Sequence, residues 1–516
     1  MNYTPFMSVF DVEPPIIDNK YLIKWLKTNF SFLRYKIFKL KKLSSERDIN
    51  FIILVNNKKK YVLKISNPSE NLNILKYQDK LISHLRNDDD LKKSIPQLFH
   101  KKIVKYLDKK NRECFVRILS YIDGHMYGDI KSNTLIEKSL GQLLGKTSIK
   151  LKSFFHKEAY RKFIWDPSNI NWINKDINIF SGRKKIILLN CYSEYKKYVK
   201  INLKQLRYSI THSDPNNYNL VVKNNKINGL LDYGDSIYAP TINDLAICLS
   251  YALMNNNNIY LKLKNIILEY HNNFPINEDE INSLISLCKS RLMITVVMAK
   301  KQRIKYPSNK YLSISENDAW TLLGKLDKIP TQFLIYIIRN ICGYSTIKNY
   351  NEIITFLKNS DFANIFNFNL LDVNKSILKL NTTSNLLRGN PTNSEINRRV
   401  NKIYKIDNSN IGIGLYKEKR KVYKGINFIS ELNSNERRNI HLGIDIFIEH
   451  GTDLYAPIDG KIKILKNNAF KYDYGPTLVL EHEFQNIKFY TLYGHLSKII
   501  LKKLKIDQKF KKGDWI

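Results

Sequence analysis

The chain has 516 residues, of which 43% are hydrophobic and 25% charged, so disorder across most of its length is excluded. At about 100–200 residues per domain, this length predicts roughly three structural units. The five cysteines are far apart and include no Cys-x-x-Cys pair. That pattern argues against a disulfide framework or a thiolate zinc site and favours a reducing compartment.

The chain is strongly basic, because 84 Lys and Arg residues against 47 Asp and Glu residues give a net charge of +37. A polyanionic partner such as nucleic acid is one interpretation. We favour a compositional one, because the lysines are spread along the chain beside abundant Asn and Ile, and all three residue types have A/T-rich codons. The charge would still attract anionic nucleotides at long range.

The N-terminal stretch has no basic segment followed by an apolar one, so it does not predict a secretory signal. No apolar run reaches the roughly 18 residues of a membrane-spanning helix. We therefore expect a cytoplasmic protein without a membrane partner.

The N-terminal part of the chain alternates strands with helices. Residues 34–66 contain three apolar, β-branched runs separated by turn residues, which predicts short strands. Residues 69–86 change to helical spacing, with apolar residues at steps of three and seven. A strand is predicted around residues 112–122, and helical spacing returns over residues 132–157.

The rest of the chain divides into segments that differ in predicted secondary structure and composition. Residues 209–240 predict a loop, a hairpin and a second loop, and residues 243–368 are dominated by long amphipathic helical segments. The polar, Asn- and Ser-rich stretch 374–410 is interpreted as a linker with room for a short helix. After residue 411 short strands and turns follow. The predicted fold class is thus α+β, followed by a small all-β domain.

Residues 211–235 contain the pattern H-x-D-x4-N, a short hairpin and then D-Y-G. An antiparallel hairpin returns Asp232 to the end where Asn219 lies, beside Asp214. Two oxygen ligands and one free carboxylate then face one cavity, which suits Mg²⁺ on nucleotide phosphates and a base for a hydroxyl proton. The alternative is a structural loop in which these residues cap turns.

HSDPNNYN and LLDYGD resemble the catalytic and metal loops of the aminoglycoside phosphotransferase and choline kinase family. Four further segments resemble its hydroxylysine kinase branch: SERDINF, YVLKISNPSE, VRILSYIDG and the Trp-Asp of residues 165–166. The resemblance covers roughly residues 20–370 and implies a two-lobed, protein-kinase-like fold. Its N-lobe would span about residues 20–122 and its helical C-lobe about residues 123–373.

By this resemblance Asp214 is the catalytic base, and Asn219 and Asp232 bind Mg²⁺. Lys64, a single lysine in an apolar strand, would contact the nucleotide phosphates, because a buried lysine needs an anionic partner. A solvent-facing strand lysine is the alternative. Asp244 would be a buried structural carboxylate and not a ligand.

Three features depart from the pattern of related kinases. The polar sequence SSERDIN stands where a glycine-rich loop would cover the phosphates. The helix that would supply a glutamate to Lys64 offers Gln78, with Glu70 at its start. His-Ser-Asp replaces the His-Arg-Asp of protein kinases, which favours a small-molecule acceptor.

A second set of motifs lies after residue 411. In an extended segment the spacing of His441 and Asp445 places both on one face, where both could ligate Zn²⁺. HLGID, APIDG and TLYGHLS resemble the lysostaphin-like metallopeptidases of family M23. The resemblance implies that His441 and Asp445 are zinc ligands and that His495 is a catalytic histidine.

The M23-like pattern is incomplete, because the family's third ligand lies in a later His-x-His motif that is not reached before Ile516. We therefore expect a truncated β-sheet and an incomplete zinc site; a structural His/Asp pair is the alternative. His450 and His482 are interpreted as surface or turn residues. The domain order resembles a tripartite bacterial arrangement that continues into a pyridoxal-phosphate-dependent aminotransferase-like domain.

These patterns predict a kinase-like domain over residues 1–373, a linker over 374–410 and an M23-like β domain over 411–516. The predicted activity is transfer of the terminal phosphate of ATP or GTP, with Mg²⁺, to a hydroxyl of an amino alcohol or amino acid such as hydroxylysine. A zinc endopeptidase with Zn²⁺ in the C-terminal domain, and a nucleic-acid-binding protein, are the alternatives.

Overall fold

The structure is a computed structural model. It describes residues 12–45, 47–99, 102–305, 316–389, 391–420, 423, 428–430, 432–433, 435–470 and 473–516. The chain forms two compact units, Met1–Tyr344 and Ser345–Ile516, where its length had predicted about three. The division lies at residue 344 and not at residue 373, because the segment from Ser345 onward packs with the C-terminal unit.

The N-terminal part of the first unit contains a five-stranded antiparallel sheet, with its strands in the order β1-β2-β3-β5-β4. Its strands are β1 (Phe38–Leu43), β2 (Ile49–Val55), β3 (Lys59–Ile65), β4 (Val104–Leu107) and β5 (Glu113–Ser120). The turn between β2 and β3 places Asn56 and Asn57 at positive φ, a conformation that asparagine adopts more readily than most residues. The strands predicted over residues 34–66 are therefore present.

Two helices flank this sheet. Helix α1 (Asn19–Asn29) contributes Leu22 and Leu26 to a core that also contains Leu63 and Ile65 of β3. Since alternate strand residues face opposite sides, Lys64 lies on the other side of the sheet. Helix α2 (Leu72–Arg86) follows β3 and is capped by the side chain of Asn71.

The remainder of the first unit is mainly helical. Its helices are α3 (Thr134–Leu151), α4 (Ile173–Asp176), α5 (Gly182–Glu194), α6 (Asn243–Ala252), α7 (Ile259–Asn273), α8 (Glu278–Lys305), α9 (Glu316–Asp327) and α10 (Thr331–Ile341). Helices α3 and α7 touch closely because Gly141 and Gly145 lack side chains. A Cβ on Gly141 would lie 2.2 Å from the carbonyl oxygen of Ile266.

Helix α8 contains an apolar stretch, Glu278–Ile304, that is long enough by composition to cross a membrane. No run of this kind was predicted. In the structure 89% of its apolar window is buried inside the protein. The core helix of a globular domain has the same composition and burial.

The first unit also contains two small sheets, which lie next to the loops of the candidate site. Strands β6 (His125–Met126), β8 (Leu220–Lys223) and β9 (Lys226–Leu230) form one sheet, and β7 (Tyr208–Thr211) pairs with β10 (Ile237–Pro240). The predicted hairpin is β8–β9, in which Leu220 pairs with Leu230. The loops at its open end carry Asn219 and Asp232, the two metal-ligand candidates. The chain is thus a two-lobed kinase-like fold followed by a β-rich unit.

The second unit contains two sheets, β11-β12-β13 and β16-β15-β14-β17, with three helices among the described residues. The elements are α11 (Tyr350–Asn359), β11 (Lys375–Ile377), α12 (Asn393–Ile406), β12 (Ile411–Gly414), β13 (Asp445–Phe447), β14 (Gly460–Asn468), β15 (Gly475–Phe484), β16 (Ile487–Tyr493), α13 (Ile500–Lys503) and β17 (Lys509–Phe510). Ile462, Leu478, Leu480 and Phe510 lie in its core.

Residues 374–410 are folded in this unit and do not form the linker that their polar composition suggested. Strand β11 pairs in parallel with β12, and α12 is a 14-residue helix. The helix begins with a capping box in which Thr392 and Glu395 satisfy each other's backbone N–H groups. Regular hydrogen bonding therefore outweighs the weak hydrophobic pattern of this segment.

Candidate active site

Lys64 is positioned by the register of β3 in the N-terminal sheet. Its Nζ lies 3.0 Å from Oδ1 of Asp232, and its side chain is 15% exposed. The charge and hydrogen bond of Lys64 hold the pKa of Asp232 well below its ordinary value, against the effect of burial. Lys64 is thus the cation of an ion pair and not a solvent-facing strand lysine.

Helix α2 does not provide the partner of Lys64. Arg117 lies directly opposite Lys64 in the β3–β5 register. Its guanidinium donates to Asp79 Oδ1 and to Gln78 Oε1, each at 2.8 Å. Helix α2 therefore holds β5 through Arg117. Glu70, at the start of the helix, accepts from the backbone N–H of Asn71.

The loop after β7 is held in place by Asp244, at the start of α6. Its two carboxylate oxygens accept the backbone N–H groups of His212 and Ser213 at 2.8 and 2.7 Å. These bonds stabilise Ser213 at a φ of 67°, which a non-glycine residue rarely adopts. Burial raises the pKa of Asp244 to about 6, and the two N–H groups oppose this rise. Asp244 is the buried structural carboxylate that was expected.

His212 supports the same loop as a neutral ring. It is fully buried, and burial lowers its pKa to about 4. A neutral imidazole has one donor and one acceptor nitrogen, so Nε2 donates to the carbonyl of Leu231 at 2.9 Å. Nδ1 then accepts the backbone N–H of Asp214 at 3.2 Å. His212 therefore links the loop of Asp214 to the end of the hairpin.

The Asp214 carboxylate is enclosed by three side chains. Arg291 Nη2 donates to Oδ1 at 2.7 Å, and Asn216 and Asn219 donate to Oδ2 at 2.7 and 2.9 Å. Burial raises the pKa of Asp214 to about 7, although the Arg291 guanidinium lowers it. Burial and the guanidinium therefore act on the pKa of this carboxyl in opposite directions, and burial has the larger effect.

Asn219 and Asp232 lie at the same end of the hairpin, beside Asp214. The backbone N–H of Leu231 donates to the carbonyl of Asn219 at 2.8 Å, which closes this end. The Asn219 amide nitrogen donates to the backbone oxygen of Asp214 at 2.9 Å, which leaves its Oδ1 as an acceptor. An amide oxygen and a carboxylate are donors that Mg²⁺ accepts, so these residues fit the metal.

Arg291, in α8, is the residue of this site that the sequence reasoning missed. Its guanidinium carbon lies 4.7 Å from the ring centre of Trp165 and 5.6 Å from that of Tyr251. Its side chain is 4% exposed, so it reaches Asp214 from inside the protein. The signal in the sequence is an arginine within an apolar helical run, which requires a buried anionic partner.

The sequence profile of the phosphotransferase enzyme family (APH) matches residues 39–260, which include Lys64, Asp214, Asn219 and Asp232. This segment is thus similar to the phosphotransferase enzyme family. The profile of peptidase family M23 matches residues 439–516. The chain is therefore similar to the phosphotransferase enzyme family in its N-terminal part and to peptidase family M23 at its C-terminal side.

Curated relatives are similar to more than half of the chain. A hydroxylysine kinase of Mus musculus is 25% identical over an aligned length of 324 residues, and the match covers 57% of this chain and 86% of that protein. A hydroxylysine kinase of Danio rerio is 25% identical over an aligned length of 305 residues, and the match covers 55% of this chain and 85% of that protein.

Among solved structures, a microcompartment-associated aminopropanol kinase is 11% identical, with a TM-score of 0.46, over 65% of this chain and 98% of that one. An amicoumacin kinase is 13% identical, with a TM-score of 0.43, over 64% of this chain and 99% of that one.

His441 and Asp445 lie together in the C-terminal unit, but an arginine shares their site. His441 Nε2 is 3.4 Å from Asp445 Oδ1, and Arg420 Nη1 is 2.5 Å from Asp445 Oδ2. Arg420 also pairs with Glu418 at 3.2 Å. The described residues supply only His441 and Asp445 here, and Arg420 occupies one oxygen of Asp445, so this arrangement does not fit the four-coordinate site of a zinc ion.

The other histidines of this unit do not complete a metal site. His495 is exposed, at a φ of 58°, and its backbone N–H donates to Tyr474. His450 is exposed in a turn, as predicted. His482 was wrongly interpreted as a surface residue: it is 2% exposed in β15, where Asp459 and Thr491 bind its ring. The described residues contain no group of three His, Cys, Asp or Glu side chains that could hold a metal.

Proposed function

We propose that the N-terminal unit transfers the terminal phosphoryl group of ATP or GTP to a hydroxyl of a small amino-bearing acceptor. Hydroxylysine is the first acceptor to test, because relatives named hydroxylysine kinases are similar over most of their length. The observation that carries the proposal is the Lys64–Asp232 ion pair beside the Asp214–Asn219 hydrogen bonds.

In this proposal Asp214 orients the acceptor hydroxyl and takes its proton. The hydroxyl oxygen forms a bond to the terminal phosphorus, the bond from that phosphorus to the bridging oxygen breaks, and a nucleoside diphosphate leaves. A base with a pKa of about 7 suits this task, because an appreciable fraction is deprotonated at neutral pH. His212, whose pKa is about 4, stays neutral and keeps the loop in register.

The remaining residues act on the phosphates. Lys64 would bind the nucleotide phosphates and neutralise part of their charge. Asn219 and Asp232 would hold the Mg²⁺ of the nucleotide, which when bound supplies further neutralisation of phosphate charge. Because the reaction consumes a nucleoside triphosphate, we propose a cytoplasmic site of action.

The test is a screen of amino alcohols for acceptor-dependent release of nucleoside diphosphate by the full chain. Hydroxylysine and lysine form a matched pair that differs only in the hydroxyl group. We expect release with hydroxylysine or another hydroxylated amine, and none above background with lysine. No release with any hydroxylated amine, from either ATP or GTP, would reject the proposal.

A further inference from the structure

The loop between β1 and β2 is fixed to the rest of the N-terminal sheet at its second half. The backbone N–H of Asn67 donates to Asp48 Oδ1 at 3.0 Å, and the Asn67 side chain donates to the backbone oxygen of Arg47 at 3.2 Å. Asn67 is fully buried, so its position is fixed by packing and its hydrogen bonds restrict the loop. The direction in which Arg47 leaves the loop is thus determined by the fold.

Arg47 reaches from this loop to the D-Y-G-D segment that carries Asp232. Its Nη2 lies 3.0 Å from Asp235 Oδ1. The space next to Gly234 gives a second measure: a Cβ there would lie 3.3 Å from Asp232 Oδ1 and 3.6 Å from Arg47 Nη2. The guanidinium of Arg47 and the metal-ligand candidate Asp232 therefore face the same small volume.

Arg161 makes a useful contrast, because it binds the same segment in another way. Its Nη2 donates to the backbone oxygens of Gly234 and Ser236 at 2.6 and 3.1 Å, so it supports the chain path. Arg47 pairs with the Asp235 carboxylate of this segment in a partly exposed ion pair, with side chains 28% and 19% exposed. A carboxylate partner of this kind can be exchanged for another anion without loss of the backbone path.

We propose that Arg47 binds the terminal phosphates of the nucleotide, in the place of the backbone N–H groups that a glycine-rich loop would provide. This inference rests on the proposed function. The planar guanidinium of arginine can bind two phosphate oxygens at once, which suits a loop that lacks glycine. Asp235 pairs with Arg47 when no phosphate is bound. When a phosphate binds, it replaces Asp235 as the partner of the Arg47 guanidinium.

The experiment compares calorimetric affinities of the full-length chain for adenosine, ADP and ATP with Mg²⁺, and for the guanosine series. Arg47→Ala is expected to weaken ATP or GTP binding about 10- to 100-fold, because a hydrogen bond to a charged group is lost. Binding of the nucleoside alone should not change. Arg47→Lys, which keeps the charge but not the fork, should give an intermediate loss.

Two further variants separate phosphate binding from support of the loop. Arg34→Ala removes an exposed arginine in the turn before β1 and should bind ATP like the parent. Asp235→Asn removes the partner of Arg47 and should bind ATP as tightly as the parent or more tightly, since one negative charge is gone. If Asp235→Asn and Arg47→Ala each lower the affinity for ATP and the affinity for adenosine by the same factor, the ion pair supports only the loop. That result would overturn the inference.

The result also distinguishes this inference from the function on which it rests. A parent chain that binds ATP or GTP, together with an Arg47→Ala variant that binds them equally well, rejects the role of Arg47 alone. A parent chain that binds neither nucleotide rejects both the inference and the proposed function.

Discussion

Each unit of the chain contains an aspartate bound to a buried arginine, yet the two sites differ in what surrounds that pair. In the N-terminal unit the Asp214–Arg291 pair is next to amide groups of Asn216 and Asn219. In the C-terminal unit the Asp445–Arg420 pair is next to one histidine and a second carboxylate that also binds the arginine.

The two sites differ in the charged side chains that could still bind a ligand. Around Asp214, Lys64 and Asp232 supply a cation and a metal-ligand candidate, so a phosphate and its metal would find partners of both signs. Around Asp445, Arg420 is already shared by two carboxylates, and Asp445 Oδ2 is occupied. This difference is the reason why we propose a catalytic role for Asp214 and none for Asp445.

Among the variants that test this comparison, the largest effect is expected from the same substitution made in both regions. Asp232→Asn should lower turnover about 10²–10³-fold, because it removes a metal-ligand candidate and leaves Lys64 unpaired. Asp445→Asn should leave turnover unchanged. Turnover is measured as nucleoside diphosphate release over a range of Mg²⁺ concentrations. Equal losses in the two variants would contradict the comparison.

The second effect concerns the pH dependence that Arg291 imposes on Asp214. A base must be deprotonated, so turnover of the parent should rise with pH through the pKa of about 7. Arg291→Gln removes the positive charge that lowers this pKa and should move the rise to higher pH by about 1–3 units. Arg291→Lys keeps the charge and should move it less. The measurement is the pH profile of turnover; an unchanged profile for Arg291→Gln argues against a general base next to Arg291.

The smallest effect on phosphoryl transfer is expected from the matching arginine of the C-terminal unit. Arg420→Met leaves Asp445 and Glu418 without their cation and should lower the free energy of unfolding by about 3–5 kcal/mol. Denaturant unfolding measures this loss, with Arg398→Met, at an exposed position of α12, as the control. Turnover should stay at the parent value. Equal stability of the two variants would mean that the Arg420 ion pairs contribute little.

The same protein samples test the zinc expectation for this unit. Two donors, one of them bound to Arg420, do not form the four-coordinate site that zinc prefers. We expect less than one zinc ion per chain after dialysis, measured by atomic spectrometry. One retained ion, lost in a His441→Ala variant, would contradict this expectation. The predicted aminotransferase-like continuation and the nucleic-acid alternative stay predictions.

The sequence predicted the features that depend on local order. The three strands before residue 66 follow from short apolar runs, and the meeting of Asn219 with Asp232 follows from the length of the β8–β9 hairpin. The capping box of α12 was also present in the sequence as Thr-x-x-Glu at Thr392, and it identifies the helix that the linker interpretation underestimated.

Pairings between distant residues could not be predicted in this way. Arg291 is 77 residues from Asp214, and Arg117 is 38 residues from Asp79. Nothing in the local pattern states which carboxylate a buried arginine will reach. The burial of His482 depends likewise on β14 and β16, which enclose β15 from both sides.

The central claim is that Asp214 takes the acceptor proton at a nucleotide site, and one measurement tests it directly. Turnover and nucleotide affinity are determined for the parent chain, for Asp214→Asn and for Asp372→Asn, an exposed aspartate in the other unit. We predict that Asp214→Asn loses about 10²–10⁴-fold in turnover while its nucleotide affinity stays within a few-fold of the parent. Asp372→Asn should match the parent in both. Equal turnover of Asp214→Asn and the parent would contradict the account.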